Sequence, residues 1–256
     1  MYPFLSLGPF LLQLPLLALL VGVWIGMHLT EKEAARLKLP SAIISNLITV
    51  GFIAGIVGAR LAYAARSLQA YLDNPLGLLA LNMNTLTGFD GLLIGLVVAA
   101  LYGRLKKLSL SATLDVLAPG LAAFMVALGV SHLLSGNAFG ASADLPWSIY
   151  LWSEYRHPSQ TYEILAALVV LFIVKKRLLG QVGDGRNFLL LVALSSAVRI
   201  FLEAFRGDSL IWSGGFRAAQ VISLIVLAVS LYALHIWVRA TKTDIAPNEI
   251  PEKGLN

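Results

Sequence analysis

Apolar residues run along this chain in seven blocks, most of them close to the roughly 20 residues an α-helix needs to cross a bilayer. They lie near residues 9–28, 42–65, 85–103, 113–134, 160–176, 187–205 and 217–239, and each predicts a spanning helix. Polar or turn-rich pieces separate them: TEKEAARLKLP, RSLQAYLDNPLG, GRLKKLSLS, SGNAFGASADLPWSIYLWSEYRHPS, KKRLLGQVGDGR and RGDSLIWSGG. The first block, FLLQLPLLALLVGVWIGM, has no Lys or Arg ahead of it and no small-residue cleavage pattern behind it, so it reads as a span rather than a secretory signal. The pattern predicts an all-α integral membrane protein of about seven transmembrane helices. Residues 1–240 form one polytopic transmembrane domain, and the polar tail 241–256, with two prolines, is expected to be disordered.

Charge gives this pattern a direction. Every lysine follows the first, third, fifth or seventh block: Lys32 and Lys38, then Lys106 and Lys107, then Lys175 and Lys176, then Lys242 and Lys253. Arg36, Arg104, Arg177, Arg186 and Arg239 lie with them. The opposite side has arginines only: Arg60, Arg66, Arg156, Arg199, Arg206 and Arg217. The positive-inside rule then places the N-terminus outside and the C-terminus in the cytoplasm, as an odd helix count requires.

Composition agrees and narrows the chemistry. The chain is 58% hydrophobic and 13% charged, with mean hydropathy +0.79, too little charge to coat a soluble domain. Its net charge of +5 follows membrane topology, so nucleic acid is not implied. Cysteine is absent, which excludes disulfides, zinc–thiolate sites and a cysteine nucleophile. His28, His132, His157 and His235 fall on both sides, against a metal cluster. No phosphate-cradling or dinucleotide fingerprint is present, and no cofactor is expected.

The arginines on the lysine-free side carry the interest. Arg60, in GIVGARLAYAAR, and Arg199, in SSAVRIFLEAFR, lie inside apolar helices, where a charge costs roughly 2.5–3.5 kcal/mol and usually has a partner or a function. Arg199, Glu203 and Arg206 share one helix face. The plain readings are an Arg199–Glu203 pair that glues helices, an Arg156–Glu163 pair, and Arg206 and Arg156 reaching lipid phosphates at the surface. The sharper reading gathers Arg60, Arg156, Gln160, Glu163, Arg199, Glu203 and Arg206 into a headgroup site for an anionic lipid, since guanidinium groups bind phosphate in a bidentate fashion. Trp147, Trp152 and Tyr155 fit an interfacial aromatic belt. Gly51–Gly55 fits close helix packing, and Asp115 fits a helix cap.

These motifs, in this order, resemble the prolipoprotein diacylglyceryl transferase family. The resemblance rests on GIVGARLAY, on GLLIG after Phe89-Asp90, and on LDVLAPGLAAFMVALG. It continues through LPWSIYL, RHPSQTYE, RIFLEAFR and QVISL, and so covers nearly the whole chain. It implies a multi-pass protein of the bacterial cytoplasmic (inner) membrane. The implied reaction moves a diacylglyceryl group from phosphatidylglycerol to the lipobox cysteine thiol in the signal peptide of a preprolipoprotein. Two motifs depart. Where the family has His-Gly-Gly at the head of the third helix, Asp90 stands in the histidine's place. At the end of the fourth helix the family's arginine falls on Gly129, its first asparagine on His132 and its glutamate on Asn137. His132 and Asp90 are therefore the candidates for a rearranged catalytic pair. A second function is a non-catalytic relative that binds phospholipid as a subunit or scaffold of a membrane complex. A transporter or channel fits less well, because the polar residues collect on one side.

Overall fold

The computed structural model describes residues 3–7, 10–74, 76–77, 87–176 and 183–244. A short antiparallel hairpin comes first, β1 (Phe4–Leu7) paired with β2 (Phe10–Gln13) in the register Phe4↔Gln13 to Leu7↔Phe10. The helices α1 (Leu14–Arg36) and α2 (Ser41–Arg66) follow, then the single-turn α3 (Leu68–Asp73). Next are α4 (Gly88–Leu105) and α5 (Leu110–Ser135), a second hairpin of β3 (Ile149–Leu151) and β4 (Glu154–Arg156), and α6 (Ser159–Lys176). The last two are α7 (Arg186–Glu203) and α8 (Ala218–Asp244).

Seven of the described helices have 18 or more residues, in the places the apolar blocks predict. Five of them, α1, α2, α4, α5 and the 218–236 part of α8, are long and apolar enough to cross a membrane. The other two differ from the expected seven apolar spans because each holds three ionisable residues in 18. In α6 these are Glu163, Lys175 and Lys176, and in α7 they are Arg186, Arg199 and Glu203. The first block also needs correction. Its opening residues form β2, and Pro15 in the first turn, where a missing N–H costs nothing, starts the helix at Leu14. The helix then continues through TEKEAAR, read above as a connection, because Glu33 is buried and paired with Arg36 at 2.8 Å. Of the tail expected to be disordered, 241–244 continue α8, and 245–256 lie outside the described residues.

Two glycine seams set the packing. Along α2 and α4, Gly51 and Gly55 face Gly95 and Gly91; a Cβ on Gly91 would lie 2.7 Å from the Gly55 carbonyl oxygen. Along α1 and α5, a Cβ on Gly120 would lie 2.3 Å from Thr30 Oγ1 and 2.6 Å from the Gly26 carbonyl oxygen. Small residues let backbones approach where lipid offers no hydrophobic drive to associate. The helix α5 is the hub: it packs on α1, α6 and α7, and its Ala118 and Ala122 bury against Val170, Val174 and Leu191. Large apolar side chains such as Trp24, Ile53, Leu92, Phe172 and Leu224 are exposed, as a lipid-facing surface requires.

On the lysine side, Asp115 of α5 is fully buried. Its carboxylate accepts from the N–H groups of Gly183 (2.7 Å), Gly185 (2.9 Å) and Phe188 (2.9 Å). It is a cap, as the sequence suggests, but it caps the N-terminus of α7 rather than its own helix. On the opposite side, residues 139–143 lie as an extended ribbon between 205–207 and 155–157, held by Ala141 N–H to Phe205 O (2.8 Å), Gly207 N–H to Phe139 O (2.9 Å) and His157 N–H to Ala141 O (3.0 Å). This ribbon ties together the adjoining ends of α5, α6 and α7.

Candidate active site

The charged side chains meet beneath that ribbon. His132 occupies the last turn of α5, Glu163 the second turn of α6, Arg199 and Glu203 the end of α7, and Arg206 lies just past it. Glu163 joins them. Its Oε2 is 2.9 Å from His132 Nδ1, and its Oε1 is 2.8 Å from Arg206 Nη1 and 3.5 Å from Arg199 Nη1. Arg199 Nη2 also lies 3.0 Å from Glu203 Oε2, close enough to pair electrostatically but not aligned for a hydrogen bond. Arg206 donates twice to Asp208, at 2.9 and 2.8 Å. Burial alone would lower the Arg206 pKa. The hydrogen bonds and charge of Asp208, with Glu163 and Glu203, outweigh that and hold it above its ordinary value.

The two arginines therefore differ in what they offer. The Arg206 side chain is 10% exposed and its fork is filled by Asp208 and Glu163. The Arg199 side chain is 39% exposed, and among the described residues it makes no hydrogen bond as short as those of Arg206. Arg199 can meet an incoming anion without breaking the cluster. It lines a cavity of about 130 Å³ between α5, α6 and α7, together with His132 and Glu163. The remaining wall is mostly apolar, from Met125, Leu128, Val198 and Leu202, with the Ser195 hydroxyl turned to the Leu191 carbonyl at 2.7 Å. A larger cavity of about 200 Å³ between α1, α2 and α5 has no ionisable lining, so chemistry rather than size marks the smaller one.

The other residues singled out in the sequence have different partners. Arg60 donates to the Gly77 carbonyl at 2.5 Å and lies 5.7 Å from the Tyr71 ring centre. Arg156 is engaged within the ribbon, by the carbonyls of Leu151 (3.1 Å) and Gly140 (3.2 Å) and by Glu154 (2.8 Å), not by Glu163. Gln160 is fully buried beside the cluster and donates to the Asn137 carbonyl at 3.0 Å; its Oε1 has no partner among the described residues. Next to it, Ser159 donates to the Ala138 carbonyl at 2.6 Å. Asp90 pairs with Arg66 at 2.8 Å, and His132 with Glu163, so the two candidates of a rearranged pair do not bond each other. Asp208 is not marked by the sequence, and Arg217 is marked there only as one arginine of the lysine-free side. The Arg217 guanidinium donates to the carbonyls of Glu203 and Arg206 and to Ser209 Oγ, closing the loop after α7.

A protein-family model described as prolipoprotein diacylglyceryl transferase matches residues 4–237. The chain belongs to the prolipoprotein diacylglyceryl transferase family. It is 30% identical over 253 residues to the phosphatidylglycerol–prolipoprotein diacylglyceryl transferase of Synechococcus sp. (strain CC9902), covering 88% of this chain and 89% of that protein. It is 27% identical to the like-named protein of Synechococcus elongatus (94% and 88% covered) and 25% identical to that of Clostridioides difficile (88% and 90% covered). Gly129, on the face of α5 that meets α6, sets how closely these two helices pack. A Cβ there would lie 2.8 Å from Ile164 Cγ1 and 3.2 Å from Ile164 N. The glycine lets α5 and α6 touch where a longer side chain would hold them apart.

Proposed function

We propose that this protein transfers a diacylglyceryl group from phosphatidylglycerol to the lipobox cysteine thiol of a prolipoprotein. Family membership supports the reaction, and one observation carries its placement: Arg199, partly exposed, lines a cavity whose walls beyond the charged cluster are mostly apolar. Such a cavity suits a lipid whose phosphate stays with the guanidinium while its glyceryl and acyl part lies against hydrocarbon. The helices α6 and α7 join the five apolar ones as spans: Glu163, Arg199 and Glu203 face one another within the protein, and Lys175, Lys176 and Arg186 lie at the helix ends on the lysine side. The N-terminus is then on the outer side of the bacterial cytoplasmic membrane, and the cluster lies in the outer leaflet, where a signal peptide presents its cysteine.

The thiol sulfur attacks the glyceryl carbon that carries the phosphate ester, and glycerol phosphate leaves. A leaving phosphate gains negative charge, and a positioned guanidinium lowers that barrier; loss of one such donor costs about 10²–10³ in rate. Arg199 has this role. Arg206, Glu203 and Asp208 keep its helix end and Glu163 in place, and Arg60 and Arg156 shape the surrounding outer surface.

The test is purified protein in phosphatidylglycerol vesicles with a peptide bearing a lipobox cysteine. The peptide gains the mass of one diacylglyceryl group on sulfur, as a thioether that survives hydroxylamine, and Arg199→Ala slows this by at least 10²-fold. Folded wild-type protein that leaves the peptide unmodified would refute the reading and point instead to a phospholipid-binding scaffold.

A further inference from the structure

A cysteine thiol has an ordinary pKa near 8.5, so attack at neutral pH needs a group to take its proton. Among the described residues lining the cavity, His132 has the only imidazole. Its Nδ1 is 2.9 Å from Glu163 Oε2. An ionised carboxylate only accepts, so Nδ1 donates, and in the neutral ring the lone pair sits on Nε2. Nε2 has no hydrogen-bond partner among the described residues, and the side chain keeps 25% of its surface exposed. Helix glue needs only the Nδ1 bond; a free Nε2 at the cavity that holds Arg199 is what a base needs.

The backbone shows how this arrangement arises. Gly129 lies three residues before His132, on the face that meets α6, and its missing side chain lets Ile164 approach. Glu163 precedes Ile164, so the same contact brings carboxylate and imidazole within bonding distance. Glu163 is in turn fixed by Arg206 at 2.8 Å, and Arg206 by Asp208. Other candidate bases do not line this cavity: Asp90 is paired with Arg66, Glu203 is fully buried beside Arg199, and His157 is packed against Tyr162 and Phe205 with its Nδ1 buried away from the cavity.

We infer that His132 is the general base of the reaction, with Glu163 as its positioning residue. This rests on the transfer reaction proposed above. The S–H proton passes to Nε2 as sulfur bonds to the glyceryl carbon. The carbon–oxygen bond to phosphate breaks, its electron pair leaves on the phosphate oxygen beside Arg199, and the imidazolium later releases its proton to water. The other charged groups facing the imidazole are Glu163 from α6, Arg199 and Glu203 from α7, and Arg206 and Asp208 beyond it.

The experiment compares wild type, His132→Ala, His132→Gln and Glu163→Gln in phosphatidylglycerol vesicles with the lipobox-cysteine peptide. The readouts are thioether formation at pH 7 and pH 9, with and without added imidazole. His132→Gln keeps a donor toward Glu163, which guards against a variant that simply misfolds. Both His132 variants are expected to lose about 10²–10⁴-fold at pH 7. The loss shrinks at pH 9, where the thiol ionises unaided, and imidazole partly restores His132→Ala. Glu163→Gln also slows, but imidazole does not rescue it, because the side chain of His132 still fills the position. Transfer by His132→Gln within threefold of wild type at pH 7 would overturn the inference while leaving the proposed reaction standing. So would a loss that neither pH 9 nor imidazole relieves. A wild type that fails to transfer overturns both.

Discussion

Replacing Asp115 tests how the helix that carries Arg199 is anchored. The Asp115 carboxylate is fully buried and accepts three N–H bonds of 2.7–2.9 Å from residues that open α7. Gly185, at the cap position of that helix, has a left-handed φ of 95° and supplies no side chain of its own. Asp115→Ala therefore removes the described side-chain cap at that end and leaves three donors unsatisfied. Hydrogen bonds to a charged group contribute about 1.5–3 kcal/mol each, but they share one carboxylate and do not add fully. A buried donor left unsatisfied costs about 1–3 kcal/mol, so with three donors that do not add fully the expected loss is about 3–5 kcal/mol. Asp115→Asn keeps one acceptor oxygen and turns an NH₂ toward a donor, so it should lose about half as much. Unfolding in detergent micelles, followed by tryptophan fluorescence, measures both. Arg199 lies 13 residues beyond Arg186, about 20 Å along the helix, so transfer per folded molecule should stay within threefold of wild type. A loss below about 1 kcal/mol for Asp115→Ala would refute this view of the cap.

Three further outcomes follow from the packing and the charge pattern. Gly120→Val should prevent α1 and α5 from closing, because its Cβ meets the Gly26 carbonyl, and yield of folded protein should fall several-fold. Asp90→Asn should cost less than about 1 kcal/mol and leave transfer unchanged, since Asp90 pairs with an Arg66 side chain that is 65% exposed; a large drop in rate would return Asp90 to the reaction. Because the chain has no cysteine, single cysteines at Lys107 and Ser213 report sidedness directly. A membrane-impermeant maleimide added to intact cells should label position 213 and not 107, and the reverse would invert the topology.

Much of the fold is legible in the sequence because a bilayer imposes one length and one polarity on each helix. The glycine seam at Gly51–Gly55 and the sharing of a face by Arg199 and Glu203 also follow from spacing alone. The start of α1 does not, because the apolar residues of β2 and the helix form one unbroken run; only Pro15 marks the boundary. The site was legible in its residue types but not in its pairings. Arg156 is close to Glu163 in sequence, yet the hairpin turns it into the ribbon, while Glu163 is matched by Arg206 from 43 residues away. The sequence offers Asp90 as the partner of His132, because nothing local shows that Gly129 brings Glu163 of α6 against it instead. Gln160, placed by the sequence in the headgroup site, donates instead to the Asn137 carbonyl just before the ribbon, and Tyr162 accepts from the Trp147 indole N–H (2.8 Å) just after it.

The cluster is thus divided between a framework and a working edge. Arg206, Asp208, Glu203 and Arg217 fasten the end of α7 to the loop that follows it. Arg199 and His132, both partly exposed at one cavity, face whatever enters from the bilayer.

The central claim is that the whole diacylglyceryl unit moves and glycerol phosphate departs. Phosphatidylglycerol labelled separately in its headgroup glycerol and in its acyl chains tests it most directly. With wild-type protein and the lipobox-cysteine peptide, one labelled glycerol phosphate should be released for each acyl-labelled diacylglyceryl group fixed on sulfur. Acyl label on the peptide without glycerol phosphate release, or neither product from folded protein, would contradict the account.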